Sequence, residues 1–261
     1  MLQVSFFSSR RFSGAMTAMA LVMFTLMGGV FFLTQYLQFS LGHTPLQTGI
    51  RIAPIAAVLL VMAPLSTLLE RFVGTKLVVV AGMLVVAAGF ALLSQVTVHD
   101  RYADVFPAFL LIGLGTGLSF APATESVMGS LPIDQAGVGA ATSGASLQTG
   151  GALGVGILGS LLNTRYQNRL TPALSHHPMP ASVLHTNTGS LGGALTVAQK
   201  IGGVLGMELA GVARQSFVSG LDLAVTVSAV VVACAALAVL VVLPNRAAPQ
   251  PPEPPPTGPP S

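Results

Sequence analysis

Few side chains within the long apolar stretches of this sequence could do chemistry. Glu125 follows Pro122 in the stretch 105–128. Arg51 lies about one turn inside the stretch 47–69, and Asp222 sits near the start of 217–243. An ionisable group at the middle of a lipid-embedded helix costs roughly 2.5–3.5 kcal/mol, so each of the three invites a role. Arg51 can extend its head to the surface, and Asp222 can mark an interface. Glu125 stands about one turn from an end of its stretch, which favours a contact at a gate or loop over a proton site at mid-depth. Both readings of Glu125 stay open, and no residue is compelled to carry a proton.

Uncharged polar groups give a second pattern. Gln35, Tyr36 and Gln38 close the first apolar stretch, and Gln35 and Gln38, three apart, share a face on a regular helix. Thr124 and Ser126 flank Glu125, and Gln148 lies near the middle of 138–162. Such groups either line an aqueous cavity and hydrogen-bond a ligand, or tie helices together at about 0.6 kcal/mol per contact. The stretch 138–162 also carries Gly150, Gly151, Gly154, Gly156 and Gly159, and 105–128 carries Gly113, Gly115 and Gly117. Small residues at fourfold spacing let helix backbones approach closely in lipid, in a static or a moving interface.

No catalytic constellation emerges. His176, His177 and His185 lie in a loop without a matching cysteine or acidic cluster, so no metal centre is expected. No phosphate-binding loop of the Walker type is present. The expectation is a protein that is not an enzyme and needs no cofactor. The single cysteine, Cys234, is expected to act as a small buried hydrophobe.

The elements that must position these residues are legible from composition. Of 261 residues 52% are hydrophobic and 7% charged, where a soluble domain averages about 25% charged. Six apolar stretches, residues 12–38, 47–69, 77–98, 105–128, 138–162 and 217–243, each reach the roughly 20 residues that a helix needs to cross a bilayer. Only helices or closed barrels satisfy their backbone groups in lipid, so the fold class expected is an all-α membrane domain over residues 12–243. The first stretch is too long for the apolar core of a signal peptide and is expected to remain as a span. Basic residues are scattered rather than clustered, which argues against nucleic acid as a partner and leaves the lipid bilayer as the first one.

Short connections make consecutive spans antiparallel, apart from the loop 163–216. Its first part, 163–190, is polar and contains three prolines, and reads as irregular. Its second part places Leu191, Leu195, Ala198, Ile201, Leu205, Leu209 and Val212 at helical spacing, which suggests amphipathic helices on the membrane surface. Residues 1–11 read as a cytoplasmic lead. Half of the residues after Leu243 are proline, so 244–261 reads as an extended, disordered tail. With Arg10, Arg11, Arg71, Lys76 and Arg246 on one side and Arg51 and Arg101 near the short loops of the other, the long loop's Arg165, Arg169, Lys200 and Arg214 being left out of the count, the termini are expected to be cytoplasmic in a cell-membrane protein.

Several segments in order resemble one family. FFLTQYLQFSLGHTPLQTGIRIAPIA, PLSTLLERFVGTKLVVVAG, GLGTGLSFAPATESVMGSLP and AGVGAATSGASLQTGGALGVGILGSLL are similar to the C-terminal half of fourteen-span drug/proton antiporters of the major facilitator superfamily. The resemblance implies one six-helix bundle made of two inverted three-helix repeats. It implies multidrug efflux of small hydrophobic or cationic molecules by alternating access. PLSTLLERFVGTK resembles the superfamily's loop motif, which assigns Arg71 and Lys76 to a gate. The glycine-rich run Gly150–Gly159 falls where a helix of the other half carries an antiporter motif. Gln35, Tyr36, Gln38 and Gln148 become candidate substrate-binding residues, and Glu125, Arg71 and Lys76 candidates for gating or proton coupling. The implied N-terminal half has no counterpart in the sequence, so the expectation is a fragment, a split-gene product or a late start. It would act with a matching half or as a homodimer. The alternative is a non-transporting membrane assembly protein descended from such a transporter.

Overall fold

The computed structural model describes residues 10–130, 136–175 and 189–243. Residues 1–9 of the expected lead, the histidines at 176, 177 and 185, and the proline-rich tail 244–261 lie outside the described residues. The described chain is helical: α1 (Arg10–Gln35) running into a π-helical turn (Tyr36–Ser40), α2 (Pro45–Val73), α3 (Thr75–Leu93), α4 (Tyr102–Met128), α5 (Ala136–Ser175), α6 (Leu191–Ile201) and α7 (Gly203–Val242). Six of these are long and apolar enough to cross a membrane. Local chemistry sets several ends. Thr44 Oγ1 accepts from Gln47 N while Gln47 Oε1 accepts from Thr44 N, a reciprocal cap that starts α2. Asp104 Oδ2 accepts from Arg101 N at 2.7 Å at the start of α4.

Glycines decide how the helices meet. A Cβ at Gly154 would overlap the backbone carbonyl of Phe24, and one at Gly150 that of Ala20, so α5 lies directly on α1. On the other side, a Cβ at Gly113 would stand 2.6 Å from the Ile55 carbonyl oxygen, and one at Gly117 3.0 Å from that of Leu59, so α4 lies on α2. In both pairs the contacts step forward by four residues on each helix, the signature of parallel neighbours. The first helix of each three-helix unit (α1, α4) thus packs on the second helix of the other unit (α5, α2), as the inverted-repeat resemblance implies. The units also join through α3 and α4, where Gly82 and Gly115 bring antiparallel backbones together. Phe12, Phe32, Phe90, Phe109 and Phe217 fill the centre, each fully buried.

The loop expected at 163–216 is mostly helix. Leu162, Tyr166, Leu170 and Leu174 continue a fourfold apolar stripe along α5, and all four are buried. Leu209, Ala213 and Phe217 form the matching buried stripe on α7. At 40 residues each, α5 and α7 are about 60 Å long, twice the roughly 30 Å of a bilayer core, so they project well beyond it as a pair. Prolines and polar residues had masked a helix that is held by protein contact rather than by lipid. Gly202 and Gly203, both with positive φ, separate α6 from α7. The amphipathic pattern is realised in α6, whose apolar face (Leu191, Ala194, Val197, Ala198) is buried against the bundle. The stretch 77–98 also ends earlier as helix, at Leu93. Cys234 is exposed on α7 rather than buried.

Candidate functional site

The polar residues at the end of α1 do not act as one group. The π-helical turn widens the helix, so Gln35 and Gln38 point to different cavities although they stand three apart. Gln38 borders a groove of about 440 Å³ between α1 and α2, together with Thr34, Thr48, Ile52 and Ile55. Thr48 is only 2% exposed, and its hydroxyl has no hydrogen-bond partner among the described residues. Gln35 instead borders a smaller cavity between α1 and α5. Tyr36 is buried, and its hydroxyl donates to the Thr97 carbonyl at 3.1 Å, tying the turn to the α3–α4 connection. Gln148 is exposed on α5 and is not among the residues lining the groove.

The same end of the bundle holds Arg51. Its guanidinium lies 5.4 Å from the centre of the Tyr102 ring, while the Tyr102 hydroxyl donates to the Arg51 carbonyl at 2.9 Å. Arg51 is therefore docked on α4 rather than simply extended to the surface. His43 sits beside it, and burial first and the positive Arg51 second push the imidazole pKa below its ordinary value. Asp222 accepts from the Thr226 hydroxyl at 3.4 Å and borders a polar cavity of about 630 Å³ with Thr97, His99 and Gln215.

The opposite end carries the charged cluster. Gly74, at φ +87°, turns the chain sharply from α2 into α3, a conformation that favours glycine. The turn brings Thr75 back onto Glu70, to which its hydroxyl donates. Glu70's second oxygen is buried without a donor among the described residues. The Glu125 carboxyl, on the last turns of α4, comes within hydrogen-bonding reach of Glu70 and within electrostatic reach of Arg71. Lys76 follows in the first turn of α3, half-buried. Glu125 and Arg71 are thus brought together around Glu70, which sequence reasoning passed over. Its signal was present: an acid beside the basic position in LERFVGTK.

The five glycines of α5 separate into two sets. Gly150, Gly151 and Gly154 contact Ala20, Met27 and Phe24 of α1. Gly156 and Gly159 have open space where a Cβ would go, so they are not helix-packing positions within this chain. On α4, Gly113 and Gly117 face α2 while Gly115 faces α3. Among the described residues no three His, Cys, Asp or Glu side chains are placed to hold a metal ion.

Membrane-length helices packed through glycine backbones, with polar groups confined to grooves and ends, define a multi-pass α-helical membrane protein. No protein-family profile matches the chain. Over 92% of its length it is 29% identical to the tetracenomycin C resistance and export protein of Streptomyces glaucescens, covering 45% of that protein. It is 28% identical to the multidrug efflux pump LfrA of Mycolicibacterium smegmatis, over 92% of this chain and 47% of the pump. Over 57% of the chain it is 33% identical to the puromycin resistance protein pur8 of Streptomyces alboniger, covering 30% of that protein. The resemblance to drug exporters of the major facilitator superfamily therefore holds across nearly the whole chain. The chain spans about half the length of the first two of these relatives.

Proposed function

We propose that the chain is the C-terminal half of a proton-coupled exporter of hydrophobic or cationic drugs, with cytoplasmic termini, and that it acts with a complementary half. The observation that carries this reading is the chemistry of its uncovered faces. On α7 the exposed residues include Leu223, Val230, Leu237 and Leu240, a surface suited to lipid. On α5 most are small or polar (Ala141, Gly144, Ala145, Gln148, Thr149, Ala152 and Gly156), with Leu153 and Ile157 the large apolar exceptions along this stretch. A face of this kind suits another helix or an aqueous path rather than acyl chains. α2, with 29 residues, buries only Thr48, Ile55 and Ser66. The small, polar face of α5 is the one that calls for a cover, while α2 exposes Leu60, Val61, Leu65 and Leu68, which suit lipid or an apolar helix alike. Relatives about twice as long have the chain to supply such a cover.

On this reading the α1–α2 groove, with Gln38 and the unpaired Thr48 hydroxyl, forms this half's share of a drug-binding cavity. Glu70, Glu125 and Arg71 form the cytoplasmic gate. Two facing carboxyl groups repel when both are ionised and hydrogen-bond when they share a proton, so proton binding there can bias the gate. The test is expression in efflux-deficient cells, alone and together with the N-terminal half of a relative. Resistance only in the paired strain is expected. Resistance from the chain alone as a monomer contradicts the reading, and none with any paired half favours the non-transporting assembly protein.

A further inference from the structure

We propose that α1, α5, α6 and α7 enclose a second small-molecule site, separate from the α1–α2 groove, for a neutral aromatic compound bearing a carbonyl oxygen. The cavity measures about 190 Å³ and is bordered by Phe31, Phe32, Gln35, Asn163, Tyr166 and Phe217. A dry cavity of about 150 Å³ accepts benzene, so this volume suits one substituted ring. Phe31 and Phe32 meet edge-on, their centroids 5.6 Å apart, and with Phe217 and Tyr166 they offer ring faces and edges that an aromatic guest can pack against.

The polar signal is Tyr166. The residue is 1% exposed, yet its hydroxyl has no hydrogen-bond partner among the described residues. A buried phenol without an acceptor is costly, and a guest carbonyl would supply one. The Gln35 and Asn163 amides add N–H donors for the same oxygen. No charged residue borders the cavity, so nothing in its lining pairs with a cation. Phe31 is exposed, which opens the cavity on the outer surface of the bundle. Every bordering residue belongs to this chain. The site can therefore be tested without a partner half, and its failure would leave the transport reading standing.

The test uses the full chain in lipid nanodiscs, irradiated with a diazirine derivative of acetophenone and mapped by peptide mass spectrometry. Adducts are expected at residues 31–35 and 159–166, suppressed by excess unlabelled acetophenone. Gly159→Leu fills the cavity where a Cβ meets nothing within 4 Å, and is expected to abolish them. Tyr166→Phe, which removes only an unpaired hydroxyl, is expected to fold with a raised thermal midpoint and to label several-fold less. Adducts spread along the lipid-facing helices and insensitive to acetophenone would mean partition into the bilayer only and would overturn the proposal. So would undiminished labelling in either folded variant.

Discussion

The α-carbon of Gly154 rests against the backbone carbonyl of Phe24, close enough that one added methyl would overlap the oxygen. Because the obstacle is backbone, α1 and α5 must separate to relieve it. Gly154→Ala is expected to destabilise the bundle by about 1–3 kcal/mol. Gly156→Ala, where nothing stands within 4 Å, is expected to be neutral or to stabilise by roughly 0.5–1 kcal/mol through helix propensity. Unfolding in detergent, followed by circular dichroism, separates the two. Equal effects would mean that the close approach does not hold the helices.

Tyr36 ties the π-helical turn to the α3–α4 connection through Thr97. Tyr36→Phe removes one hydrogen bond and leaves a carbonyl unpaired, so a loss of about 0.5–1.5 kcal/mol is expected. Hydrogen exchange should rise in residues 36–43 and 94–99, and not at the Glu70 end. Unchanged exchange in both segments would show that the tether carries no load.

Arg51 and Tyr102 form a cation–π contact between α2 and α4. A double-mutant cycle with Arg51→Gln and Tyr102→Leu is expected to give a coupling of about 0.5–1 kcal/mol. Additive effects would show that the guanidinium gains nothing from the ring.

His43 lies in the connection between α1 and α2, outside the membrane-length helices. Its pKa is lowered by burial and by Arg51, so the unfolded chain binds the proton more readily than the folded one. The sign follows: stability is full above the ordinary histidine value of about 6.5, falls as pH drops below it, and levels off beneath the lowered value. Melting temperatures across that range should show the decline, and His43→Gln should flatten it. A decline that survives the substitution assigns it to other groups.

The helices were legible because lipid-crossing length leaves a plain apolar record. The Gly150–Gly154 contact was legible because close backbone approach needs small residues at fourfold spacing. The extension of α5 through Ser175 was obscured because its stripe of Tyr166, Leu170 and Leu174 is interrupted by polar residues that face outward. The divergence of Gln35 and Gln38 was hidden because helical spacing assumes a regular helix, and the turn at Tyr36–Ser40 is not one. Glu70 escaped notice because an acid at a helix end looks solvated. Only the turn at Gly74 brings Thr75 onto it and sets it facing Glu125.

Transport by a defined assembly tests the central claim most directly. The chain is reconstituted into proteoliposomes, alone and with a complementary N-terminal half, and a fluorescent organic cation is followed under an imposed pH gradient. Gradient-driven accumulation is expected only for the assembled pair, with its pH dependence altered by Glu125→Gln. Equal transport by the chain alone, shown to be monomeric, would contradict the account.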